Sequence, residues 1–81
     1  MTNVGKTIEK MKKQPNGIKP AEVEKVLYAY GYILRNQVGS HRQYKNLDTG
    51  DIITIPQRNP VKAVYIKDVI RIIIYKDKER D

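Results

Sequence analysis

The only histidine of the chain, His41, sits in the stretch VGSHRQYKN, directly after Gly39 and Ser40. An imidazole has a reference pKa of about 6.5, so it exchanges protons near neutral pH. Arg35, Arg42 and Lys45 flank it in the sequence. A proton-transfer group among cations is the minimal kit for RNA cleavage. The RNA brings its own nucleophile, the 2′-OH. The protein has only to position the strand, offset phosphate charge and move protons. A lone histidine is more often structural or incidental than catalytic. Here it opens a predicted strand just past a Gly-Ser turn. Strict alternation would place it on the solvent face with Arg35, Gln37, Gln43 and Lys45.

Rival chemistries are scarce. The chain has no cysteine, which removes disulfides, Cys-ligated zinc and thiol catalysis. One histidine cannot build a His-rich metal site. There is no Gly-rich phosphate loop, Walker pattern or nucleophile elbow. Glu22 and Glu24, with Lys25, read as a solvated helix face, and Asp48 and Asp51 read as turn formers around Gly50. No metal and no cofactor is therefore expected.

Sixteen Lys and Arg against nine Asp and Glu give a net charge of +7 on 81 residues. Such an excess favours a polyanionic partner: nucleic acid first, then an anionic membrane or an acidic protein. The start, MTNVGKTIEKMKK, has no apolar signal-like core, and the longest apolar run, IIIY, is far below the ~20 residues that span a bilayer. The expectation is a soluble cytoplasmic protein. A chain of this size forms a modest core, which points to chemistry on an open surface rather than in a deep pocket.

The elements that must hold His41 follow from periodicity. Val4, Ile8 and Met11 predict a short helix ending near Gln14, against the alternative of a frayed basic tail. QPNG at 14–17 is a turn. Pro20 suits a first helical position, Val23, Val26, Leu27 and Tyr30 form one stripe, and Gly31 is placed to end that helix. From Tyr32 the period becomes two. YILRNQV predicts a strand with Tyr32, Leu34 and Val38 facing inward. HRQYKNL predicts a second strand with Tyr44 inward, and IITIP a third that Pro56 stops. DTGD at 48–51 supplies the second hairpin turn. QRNPVKAVY at 57–65 reads as an extended connection. IKDVIRIIIYKDK reads as a helix on the stripe Ile66, Val69, Ile70 and Ile73, with a fraying KDKERD tail. The fold class is α+β: three antiparallel strands packed against helices, in the order α-α-β-β-β-α.

These pieces resemble the HicA toxins of bacterial HicA–HicB toxin–antitoxin pairs. The resemblance is carried by LYAYGY, YILRNQV, GSHRQY, ITIP and the basic linker NPVKAVYIKDVI, over roughly residues 20–75. It implies a fold similar to double-stranded RNA-binding domains, preceded by an N-terminal helical extension over 1–16, all within one HicA-like domain spanning 1–81. It also implies an endoribonuclease that cleaves mRNA, with His41 as catalytic group, Gly39 and Ser40 as the turn presenting it, and Tyr44 as the core aromatic of its strand. A HicB antitoxin is the implied protein partner. Many relatives carry a second histidine just after the proline of ITIP. Here Gln57 stands in that place, so a two-histidine mechanism is excluded and the second proton needs another carrier. Arg35, Arg42, Lys45, Arg58, Lys62 and Lys67 are the expected RNA phosphate contacts. Each has a plainer reading as a solvated surface charge. Lys12, Lys13, Lys76 and Lys78 read as solubilising ends. Tyr28 and Tyr75 are undecided between sheet cover and surface. A non-catalytic RNA-binding module is the alternative function, and a protein-interaction domain the third.

Overall fold

The structure, a computed structural model, describes residues 4–79, and their side chains as far as Ile73. Helix α1 runs Val4–Lys13 and a 3-10 turn covers Pro15–Gly17. Helix α2 is Pro20–Ala29. Strands β1, Tyr32–Val38, β2, His41–Asn46, and β3, Ile52–Pro56, follow, and helix α3 spans Ala63–Glu79. The strands form one antiparallel sheet in the order β1-β2-β3.

Alternate residues of each strand point to opposite faces, so one face can be dry and the other wet. The dry face presents Tyr32, Tyr44, Ile53 and Ile55. They share a core with Val23, Val26 and Leu27 of α2 and with Ile66, Val69 and Ile73 of α3. The α3 stripe is thus as predicted, with Ile70 half-buried beside it. Met11 of α1 is fully buried in the same core, and Thr7 is buried one turn before it. The N-terminal segment is therefore a packed helix rather than a frayed tail. Its last turn carries Lys10, Lys12 and Lys13, the sign that suits the negative end of a helix dipole.

Helix α2 starts with Pro20 at its first position, preceded by a capping interaction. The Lys19 N–H donates to the Glu22 carboxylate at 2.9 Å, and Lys10 Nζ lies 3.1 Å from the same group. The backbone N–H of Lys19 holds the Glu22 carboxyl below its ordinary range; burial opposes it less strongly, and the Lys10 ammonium adds to the lowering. The helix ends at Gly31, whose φ of +89° is a conformation that side chains other than glycine's resist.

Three expectations need correction. Helix α3 begins at Ala63, not Ile66, so Ala63–Tyr65 belong to its first turn and Lys67 to the turn after. The helix also runs to Glu79, past the point where the tail was expected to fray; Arg80 and Asp81 lie outside the described residues, as do the side chains of Tyr75, Lys76 and Lys78. The third correction concerns β1. Leu34 pairs with Tyr44, but Asn36 pairs with Gln43, so Arg35 is an extra residue in the ladder, a β-bulge. One inserted residue inverts the face of everything after it. Val38 therefore pairs with His41 on the open face, 69% exposed, while Gln37 pairs with Arg42 on the helix side.

Candidate active site

His41 is the first residue of β2, where its backbone pairs with Val38 of β1 and Pro56 of β3. It is exposed, on the sheet face that carries no helix. The turn that precedes it is pinned from both sides. Gln37 Nε2 donates to the Gly39 carbonyl at 3.2 Å, and the Gln57 N–H donates to the Ser40 carbonyl at 2.6 Å. Gly39 has φ +59°, so the reversal uses the left-handed backbone that glycine adopts without strain. The bulge sets Gln37 opposite Arg42, whose Nε donates to the Gln37 side-chain oxygen at 3.1 Å. Gln57 stands where a second histidine would otherwise be expected. Here its backbone N–H holds the turn and its side-chain amide donates to the Ile55 carbonyl at 3.1 Å.

Ser40, His41, Pro56, Arg58, Lys62 and Tyr65 line a cavity of about 180 Å³ at this end of the sheet. Four residues singled out in the sequence are thus brought together: Ser40, His41, Arg58 and Lys62. The linker after β3 carries the two cations past the strand end. It is tied down where the Val61 N–H donates to the Ile18 carbonyl at 2.8 Å and the Val61 side chain enters the core. The cavity adjoins the start of α3, whose dipole adds positive potential to that of Arg58 and Lys62. An open, cationic cavity beside an imidazole suits a phosphodiester, whose charge rises in the transition state of cleavage.

Other expected contacts fall elsewhere. Lys45 shares the open face with His41, four residues or roughly 13 Å along the strand. Arg35 is the exposed bulge residue of β1. Lys67 is exposed on α3, two residues past Tyr65 and so roughly 200° around the helix from it. Arg42 lies on the opposite face of the sheet from His41. Its Nη1 donates to Glu24 at 2.9 Å and its Nε donates to Gln37 at 3.1 Å, which makes it a strut between β2, β1 and α2.

Two side chains at or beside the site are not apparent from the sequence. Glu24, taken for a solvated acid, accepts from both Arg42 and the Tyr44 hydroxyl, the latter at 2.7 Å. Burial, reinforced by that acceptor, pushes the Tyr44 phenol up to about 12. Tyr28 packs edge-on against Tyr44 with ring centroids 6.3 Å apart, and remains 47% exposed. The second missed residue is Tyr65, hidden because the linker reading left it outside any helix. A family model described as the HicA toxin of bacterial toxin–antitoxin systems matches residues 20–74. The chain belongs to the HicA toxin family. The matched span contains the cavity, the sheet and most of α3, and its α+β, double-stranded-RNA-binding-domain-like fold is the one described above. Membership implies a cognate antitoxin. α1 and the turn after it lie before the matched span, although Met11 shares its core. No curated protein and no solved structure matches the chain significantly. Among the described residues, no helix is long and apolar enough to cross a membrane.

Proposed function

We propose that the protein is an mRNA-cleaving endoribonuclease toxin that works without a metal and inhibits translation in the cytoplasm. We take residues 1–81 as one HicA-like domain. The observation that carries the proposal is the joint presence of His41, Arg58 and Lys62 in one open cavity on a HicA-family chain of charge +7. His41 takes the proton of the RNA 2′-OH as that oxygen attacks the adjacent phosphorus. Arg58 and Lys62 hold the phosphate and stabilise the extra negative charge of the pentavalent transition state. Gly39 and Ser40 present the imidazole, and their carbonyls are held by Gln37 and Gln57. Lys45 and Arg35 extend the cationic track beyond the cavity. A HicB antitoxin restrains the enzyme by covering the His41 face.

The test incubates the purified protein with mRNA in EDTA, beside His41→Ala. The wild type is expected to cut and the variant to lose cutting by at least about 100-fold, the usual scale of a positioned proton-transfer group. Intact RNA with the wild type, or equal cutting by the variant, refutes the reading. Salt-sensitive binding without cutting would instead identify a non-catalytic RNA-binding module.

A further inference from the structure

A single histidine moves one proton, yet cleavage of an RNA phosphodiester needs two transfers. One leaves the 2′-OH and one reaches the departing 5′-oxygen, which is a poor leaving group until protonated. The cavity offers few carriers for the second. Arg58 is a guanidinium that does not give up its proton in proteins. An aliphatic hydroxyl such as that of Ser40 is far too weak an acid. The Gln57 amide does not ionise and is engaged with the Ile55 carbonyl. Lys62 is exposed and precedes α3, so its head sits on a long, unrestrained stem.

Tyr65 differs from all of these. It lines the cavity from the first turn of α3, with its backbone N–H bonded to the Lys62 carbonyl at 3.1 Å. Its ring is half-buried and packed against the core. Its hydroxyl has no hydrogen-bond partner among the described residues. It faces the site from the helix, whereas His41 faces it from the sheet. A phenolic O–H is a hydrogen-bond donor with a transferable proton, and the side chain has only two torsions to hold. Preorganisation of that kind is what a proton donor needs.

We propose that Tyr65 is the general acid of the cleavage reaction, a catalytic residue that gives its phenolic proton to the 5′-oxygen. This rests on the ribonuclease reading above. The step balances as follows. The 2′-oxygen loses its proton to His41 and forms a bond to phosphorus. The P–O5′ bond breaks, and the departing oxygen takes the Tyr65 proton. The products are a 2′,3′-cyclic phosphate and a 5′-hydroxyl, and the two side chains return to their starting protonation states by exchange with water.

The test compares wild type, His41→Ala and Tyr65→Phe on RNA and on the 4-nitrophenyl ester of uridine 3′-phosphate. That ester has the same 2′-OH nucleophile, but its nitrophenolate departs without protonation. Tyr65→Phe keeps the ring in place, and an unchanged melting temperature verifies the fold. It is expected to lower kcat on RNA by about 100-fold or more, with KM within about twofold, and to cleave the ester within about threefold of wild type. His41→Ala is expected to fail on both substrates. Tyr65→Phe that cuts RNA like wild type, or that loses both substrates equally, overturns the Tyr65 role and leaves the His41 reading standing. Wild type that cuts neither substrate, or His41→Ala that cuts both, overturns the ribonuclease reading and the inference with it.

Discussion

Replacing Tyr44 by Phe removes one oxygen from a side chain that is 1% exposed, and leaves the ring packing in place. The lost hydroxyl donates to Glu24 at 2.7 Å, and Arg42 donates to the same carboxylate oxygen at 2.9 Å. A hydrogen bond to a charged group contributes about 1.5–3 kcal/mol. Glu24 keeps Arg42 in the variant and has 23% of its side chain in solvent, so the carboxylate is not left stranded. The lower end of the range applies, about 1.5 kcal/mol. For a domain of this size that corresponds to a fall in Tm of about 6–12 °C. A second signature is in the pH dependence. The Tyr44 phenol is pushed from 10 to about 12 in the folded protein, so the folded state holds a proton that the unfolded state releases first. The stabilisation is complete below pH 10 and is lost as pH rises towards 12. The stability gap between wild type and Tyr44→Phe therefore narrows over that window. Thermal melts at neutral pH and denaturant titrations on the alkaline side measure both effects. A Tm change under about 2 °C, or a gap that stays constant with rising pH, refutes the claim that this hydroxyl joins α2 to the strand bearing His41.

Met11→Ala is expected to destabilise the protein by about 2–4 kcal/mol, because it empties a fully buried site shared by α1 and the rest of the core; an unchanged melting curve would return α1 to the status of a dispensable tail. Arg58→Gln and Lys62→Gln are each expected to reduce the slope of log affinity for single-stranded RNA against log salt by about 0.7 per lost phosphate contact. Arg42→Gln and Lys67→Gln are expected to leave that slope alone, and Arg42→Gln to lower the Tm instead. A slope change for Arg42→Gln matching that for Arg58→Gln would contradict its assignment as a strut.

Much of this molecule can be read from local pattern. Period and punctuation are properties of neighbours in the chain, so Pro20, the Val23–Tyr30 stripe and Gly31 suffice to outline α2, and Gly39-Ser40 suffices to put His41 at a strand start. The absence of cysteine and the single histidine narrow the chemistry before any fold is known. Three matters were decided only when distant segments met. The bulge at Arg35 exists because β1 must match β2 at Tyr44 and again at the turn, and one surplus residue between those anchors has no place in the ladder. Alternation within β1 cannot reveal it, so the strand alone misplaced Gln37 and Val38. Glu24 looks like any acid on a helix until β2 brings Arg42 and Tyr44 beneath it. Tyr65 enters the site because the α3 stripe packs on the sheet and starts the helix at Ala63. Pairing register and helix docking are collective quantities, set by what each segment buries against the others, and it is these that bring the imidazole, the two cations and the phenol to one cavity.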